Sequence, residues 1–149
     1  MDWDDFRVLR EVFGKGKSYL YLGKPDILEV VIADAKEVVA ISPEKINIKH
    51  PILRVIEGLP EETELTYLPE ELDCIVNCLP LKLPISFKIL ARFVPLLKSD
   101  GHILVRLELT KEQDSYMEYI LKDALRDAGL EEIARVSMEG EKYFLGKRA

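Results

Sequence analysis

A chain of 149 residues, 48% apolar and 32% charged, is the size of one ordinary domain with a real core and a charged surface, which excludes intrinsic disorder. Its formal charge of −6 does not offer the basic face that phosphates need, so neither nucleic acid nor an anionic membrane is expected as a direct partner. No run approaches the roughly 20 uncharged apolar residues of a membrane span. Asp2, Asp4 and Asp5 stand where a secretory leader would be basic, so the expected location is cytoplasmic.

Residues 2–13 place Trp3, Phe6, Leu9, Val12 and Phe13 at helical spacing, predicting an amphipathic helix that packs on the domain. Gly14-Lys15-Gly16-Lys17-Ser18 is not a phosphate loop. Glu11 occupies the required glycine's place, and the segment runs from helix into strand rather than the reverse. Lys15, Lys17 and Lys24 read as scattered surface charges. A strand is expected over 17–22, then a turn, then a helix over 27–35 that is apolar nearly all round and so well buried. Pro25 falls in that helix's first turn, where a missing N–H costs nothing. A second strand follows over 37–42.

Pro51, Gly58 and Pro60 match helix start and stop signals, so a short helix is expected over 51–57 and a third strand near 63–68; the competing reading makes 52–56 the strand. Leu72 to Leu79 is a continuous apolar run, as in a strand covered on both faces. Pro84 and Ser86 open a helix that Pro95 kinks late. A fifth strand follows over 102–109. Residues 111–128 form an amphipathic helix carrying Tyr116, Tyr119, Ile120, Ala124 and Leu125, closed by Gly129. The two last strands flank Glu139-Gly140 with no room for a helix, which predicts an antiparallel hairpin. The fold class is α/β: one doubly wound, mostly parallel sheet of about seven strands.

Cys74 and Cys78 lie in one strand, about 13 Å apart, too far for a disulfide, and neither has a nearby ligand in sequence for a metal. They read as buried free thiols in a reducing compartment. His50 and His102 are remote from each other and read as surface residues. Glu131 and Glu132 read as a solvated strand start. The only side-chain amides are Asn47, Asn77 and Gln113, which with many Lys and Glu suggests a heat-adapted (thermophile) source.

Alternating strands and helices with a closing hairpin resemble class I S-adenosylmethionine-dependent methyltransferases. Leu72-Asp73-Cys74-Ile75-Val76 resembles their "FDxVV" strand, residues 93–105 their "xxLLKPGGxLVI" segment, and Leu125 to Leu130 their "LxxAGF" helix end. The resemblance implies a methyltransferase-like fold, with the cofactor over the turn after the first strand, at the carboxyl ends. It points to Gly23, Lys24, Ser42, Glu44 and Asn77 as candidate cofactor-binding residues.

That half departs from the family pattern. Tyr21 holds the place of the acid that closes the first strand. Gly23 matches the first glycine, but Pro25 and Ile27 stand at the second and third. Proline removes an amide donor, and Asp26 brings negative charge to the helix start where the methionine carboxylate would sit. Ser42 replaces the ribose-binding acid, leaving Glu44 as a substitute if the loop folds back. Asn77-Cys78-Leu79-Pro80 loosely matches the motif of amino-methylating enzymes, with Asn77 either substrate-facing or capping the strand end.

The leading expectation is a degenerate cofactor site and a non-catalytic, accessory role, binding a protein partner or forming a homo-oligomer. The alternatives are an active methyltransferase with a rearranged site, or a binder of another small ligand in the same crevice. Accordingly the cofactor is either none or S-adenosylmethionine, no metal is expected, and no catalytic residue is identified.

Overall fold

Every residue from Ser18 to Gly23 is buried, so this strand must be covered on both faces, and its alternation sorts the core. Tyr19 and Tyr21 point to one side of the sheet, Leu20 and Leu22 to the other. The computed structural model describes residues 4–5, 16–79, 83–107, 117–138 and 141–148. Within these, the strands are β1 (Asp4–Asp5), β2 (Ser18–Gly23), β3 (Glu37–Ser42), β4 (Leu53–Glu57), β5 (Leu72–Cys78), β6 (Leu97–Arg106), β7 (Leu130–Met138) and β8 (Glu141–Arg148). They form one sheet in the order β1-β7-β8-β6-β5-β2-β3-β4. All pairings are parallel except β6–β8 and β7–β8. The mostly parallel α/β sheet with an antiparallel end is therefore as expected, with the two-residue β1 added at its edge.

The helices are α1 (Leu28–Ile32), α2 (Leu83–Phe93) and α3 (Met117–Ala128). On one face, Leu90 and Phe93 of α2 and Leu125 of α3 pack on Leu20, Leu22, Ile75, Ile103 and Phe144. On the other, Ile27 and three residues of α1 pack on Tyr19, Tyr21, Val38 and Ala40, with Ile46 from the loop after β3. Asp73 ties the amino ends together. Its carboxylate accepts from Ser18 N–H at 2.8 Å and pairs with Lys98 at 3.1 Å. Burial works against the ionised form, but those two donors hold its pKa below the usual carboxylate range.

Several expectations are corrected. Asp4 and Asp5 are a strand beside β7, not part of a helix; the rest of the predicted helix over 2–13 lies outside the described residues. Residues 53–57 are β4, not a helix, and 63–68 is not a strand. Its place is taken by 3₁₀ turns at Pro60–Glu62 and Leu65–Tyr67. The six residues between Pro51 and Gly58 are too few to repay helix nucleation, and Val55 and Ile56 favour the pleated alternative. Arg92 and Arg54 hold the intervening loop by bonding Pro60 O at 2.8 Å and Tyr67 O at 2.6 Å. Helix α1 is shorter than expected and leaves Val30 57% exposed, so it is buried on one side only. Tyr119 is 75% exposed rather than packed, although Leu125 of the same helix is buried. Pro95 ends α2 in a 3₁₀ turn rather than kinking it.

Ile75 is fully buried in β5, among side chains from β2, β6 and α2. Ile75→Ala is expected to lower stability by about 2–5 kcal/mol through lost transfer energy and an unfilled cavity. Urea unfolding checks this, and a loss below about 1 kcal/mol would show that the site collapses around the smaller side chain.

Candidate functional site

The strand order reverses at β2, which has β3 on one side and β5 on the other, so the crevice of an open α/β sheet lies at its carboxyl end. Leu22 pairs with Ile41 and with Asn77, and Gly23 pairs with Cys78. With strands about 4.8 Å apart, Gly23, Ser42 and Asn77 share one stretch of rim. Lys24 and Glu44 follow on the adjoining loops, both exposed. The five candidate residues are thus brought to one end of the sheet.

The turn after β2 is folded inward. Gly23 has φ +99°, and a Cβ there would lie 2.5 Å from the carbonyl carbon and oxygen of Cys78 and 2.6 Å from the nitrogen of Leu79. Only glycine permits this approach. Lys24 N–H donates to Cys78 O at 3.4 Å, Ile27 N–H to the Tyr21 hydroxyl at 3.3 Å, and Leu28 N–H to Pro25 O at 3.4 Å. Pro25 has no N–H to offer. The Tyr21 hydroxyl in turn donates to Lys24 O, so it clamps the turn from beneath.

The remaining candidates also bond locally. Ser42, 1% exposed, accepts Glu44 N–H at 3.2 Å through its hydroxyl. The buried Asn77 accepts Leu79 N–H at 3.0 Å, which caps the strand end.

Two residues not singled out in the sequence complete this rim. Arg106 closes β6, pairing with Asp26 at 3.0 Å and with Glu141 at 3.2 Å, while its buried Nε has no partner among the described residues. Burial opposes the Arg106 charge, yet the two carboxylates hold its pKa above the ordinary value. Beside it lies the fully buried Tyr143 of β8. The available signal was a lone cation inside an apolar strand, His102-Ile103-Leu104-Val105-Arg106-Leu107.

Cys74 and Cys78 are buried free thiols, as expected. His50 is exposed, whereas His102 is half-buried opposite Cys74, and burial lowers its pKa. Glu131 pairs with Lys147 at 3.6 Å and Glu132 with Arg135 at 2.6 Å. Among the described residues no three His, Cys, Asp or Glu are placed to hold a metal. No described helix is long and apolar enough to cross a membrane. Two clefts lined by described residues, of about 460 Å³ beside α3 and β7 and about 420 Å³ beside β3 and β4, include none of the five candidates.

No family model matches the chain, and no curated protein matches it. Solved structures do. The fibrillarin of Aeropyrum pernix, with natively bound S-adenosyl-L-methionine, superposes with TM-score 0.68 at 17% identity, over 91% of this chain and 68% of that one. The N-methyltransferase NodS of Bradyrhizobium japonicum, bound to S-adenosyl-l-homocysteine, gives 0.67 at 16% identity, over 94% and 82%. A candidate hemolysin of Lactococcus lactis gives 0.73 at 14%, over 96% and 84%. The fold is therefore that of class I S-adenosylmethionine-dependent methyltransferases.

Five buried groups around this sheet make stability depend on alkaline pH in one direction. Burial pushes the Tyr19, Tyr21 and Tyr143 phenols above their ordinary range and the Cys74 and Cys78 thiols up to about 12. In the unfolded chain thiols ionise at about 8.5 and phenols at about 10. The unfolded state thus loses protons first. Stability is whole below those values and falls as pH climbs toward the folded ones. Urea midpoints should be lower at about pH 11 than at about pH 8. A constant or rising midpoint would contradict the assignment.

Proposed function

We propose that this methyltransferase-fold domain has lost the usual grip on S-adenosylmethionine and serves a non-catalytic, accessory role toward a protein partner or a second copy of itself. One observation carries the reading: three of the four backbone donors from Lys24 to Leu28 are used within the chain. Lys24, Ile27 and Leu28 N–H each have a partner within the chain, and Pro25 contributes none. The methionine carboxylate is ordinarily favoured by free N–H groups at a helix start. Helix α1 is only five residues long, and Asp26 already stands at its beginning, paired with Arg106. Ser42, where a ribose-binding acid would stand, uses its hydroxyl on Glu44 N–H.

A second reading keeps the activity. Gly23, Ser42 and Asn77 share one rim, and NodS and fibrillarin carry the cofactor or its product in the same fold. Methyl transfer depends mainly on in-line positioning, with little acid or base machinery. Isothermal titration with S-adenosylmethionine and S-adenosylhomocysteine separates the two. We expect no binding heat up to about 1 mM ligand; a dissociation constant in the micromolar range, about −8 kcal/mol, would overturn the accessory reading in favour of a rearranged, working site.

A further inference from the structure

Strand β4 is the last strand on its side of the sheet and pairs only with β3 among the described residues. Val38 N–H donates to Ile52 O at 3.0 Å and Gly58 N–H donates to Ser42 O at 2.9 Å, one at each end of the ladder. In a parallel ladder the residues between alternate, so Ile52, Arg54, Ile56 and Gly58 turn their backbone groups toward β3. Leu53, Val55 and Glu57 then turn theirs to the open edge. Leu53 N–H is used on His50 O. The outward groups are the Leu53 carbonyl and both groups of Val55 and of Glu57.

Such an edge is usually blunted by a proline, a bulge or an overlying element. The pairing of β4 with β3 runs without a register shift, and the strand contains no proline. Ile52, Leu53, Val55 and Ile56 are only half-buried, with exposed Leu59 and Tyr67 nearby in the chain. Apolar surface and unpaired backbone therefore meet along one line.

The charge around that line is polar in the directional sense. Lys45 and Lys49 precede β4 and Arg54 lies near its start, against a single acid, Glu44; Glu57 ends the strand and Glu61, Glu62 and Glu64 follow, with no basic residue from Val55 to Glu71. Each of these charged residues is exposed. We propose that a second copy of this chain docks here, its β4 antiparallel to the first about a two-fold axis at Val55. Turned outward, Val55 meets its own counterpart as a hydrogen-bonded pair, and each Glu57 N–H reaches the Leu53 carbonyl opposite. This makes about four new backbone bonds and one sheet continuous through both copies.

The two-fold sets the cationic approach of one copy against the acidic exit of the other. Lys49 lies just before β4 and Glu61 in the turn after it, so the two-fold brings the Lys49 end of one copy to the Glu61 end of the other. A parallel arrangement would set acid against acid, and a uniformly basic peptide would face Lys49 and Arg54 as well as the glutamates. The antiparallel second copy answers both ends of the edge at once.

Sedimentation equilibrium of the full chain tests this at low ionic strength, where the charge pattern is least screened. A concentration-dependent dimer is expected. Val55→Pro removes the outward N–H and leaves the β3 ladder of Arg54 and Ile56 in place, so it should give a folded monomer by circular dichroism. Glu61→Lys should raise the dimer dissociation constant about tenfold, and Lys49→Glu added to it should restore the constant to within about threefold. A wild-type chain still monomeric at about 1 mM would overturn the proposal. So would a folded Val55→Pro variant that dimerises normally. If that variant does not fold, the charge pair decides: an unchanged constant in Glu61→Lys, or no recovery in the double variant, overturns the proposal equally.

Discussion

The close approach of Gly23 to the backbone of Cys78 and Leu79 sets the path of the turn after β2 at the carboxyl rim. At the point where a doubly wound sheet reverses strand order, the loops on either side normally diverge and leave a crevice. Here the first loop leans onto the neighbouring strand, because an absent Cβ lets it come within what would be a 2.5 Å clash. Once the loop leans that way, its amides find partners in the chain. Lys24 N–H reaches Cys78 O, and the Tyr21 hydroxyl rises under the turn to take Ile27 N–H and give its own proton to Lys24 O. A tyrosine at the family's acid position is intelligible on this basis. A carboxylate there could accept from Ile27 N–H but could not donate to a carbonyl, whereas a phenol does both.

The ionic contacts outside that core reinforce it only modestly. Asp26 and Glu141 are 41% and 47% exposed, so each pair with Arg106 is worth little by itself. Arg106 is different, at 17% exposed and with a buried Nε lacking a partner among the described residues. Removing either acid would leave a mostly buried cation with half its compensation, which costs more than an exposed pair contributes. The triad links the turn after β2 to β6 and β8, and its energetic importance lies in the cost of breaking it.

What was legible in the chain follows from how many residues agree locally. The apolar run of β5 and the antiparallel pairing of β7 with β8 were readable because pattern and propensity point one way, whereas Asp100-Gly101, read as a turn before a strand over 102–109, lies inside β6. Residues 51–57 were not, since capping signals at Pro51 and Gly58 spoke for a helix while the β-branched pair Val55-Ile56 spoke for a strand, and tertiary pairing with β3 decided. Tyr119 misled because helical periodicity marks which residues share a stripe, not how wide a stripe the neighbours cover. At the rim, the missing glycines and acids could be counted from the sequence. The inward lean could not, since it depends on the meeting of Gly23 with a strand more than fifty residues away.

The two halves of the fold have been treated differently, and one physical rule covers both. Strands β5 and β6 with α2 and the end of α3 carry the segments that resemble the family, and the apolar cluster they pack on also takes in Leu20 and Leu22 of β2 and Val39 and Ile41 of β3. The β2–β4 half carries a five-residue helix, no helix between β3 and β4, and the substitutions Tyr21, Pro25 and Ser42. Buried backbone groups must find partners from somewhere. In a cofactor-binding site, a bound ligand can supply some of them. In this chain the side-chain acceptors Tyr21 Oη, Ser42 Oγ and Asn77 Oδ1 and the Cys78 carbonyl supply them instead, each to an N–H in the loops at the carboxyl rim. These four bonds tie the loops after β2, β3 and β5 to the chain's own groups at the carboxyl rim.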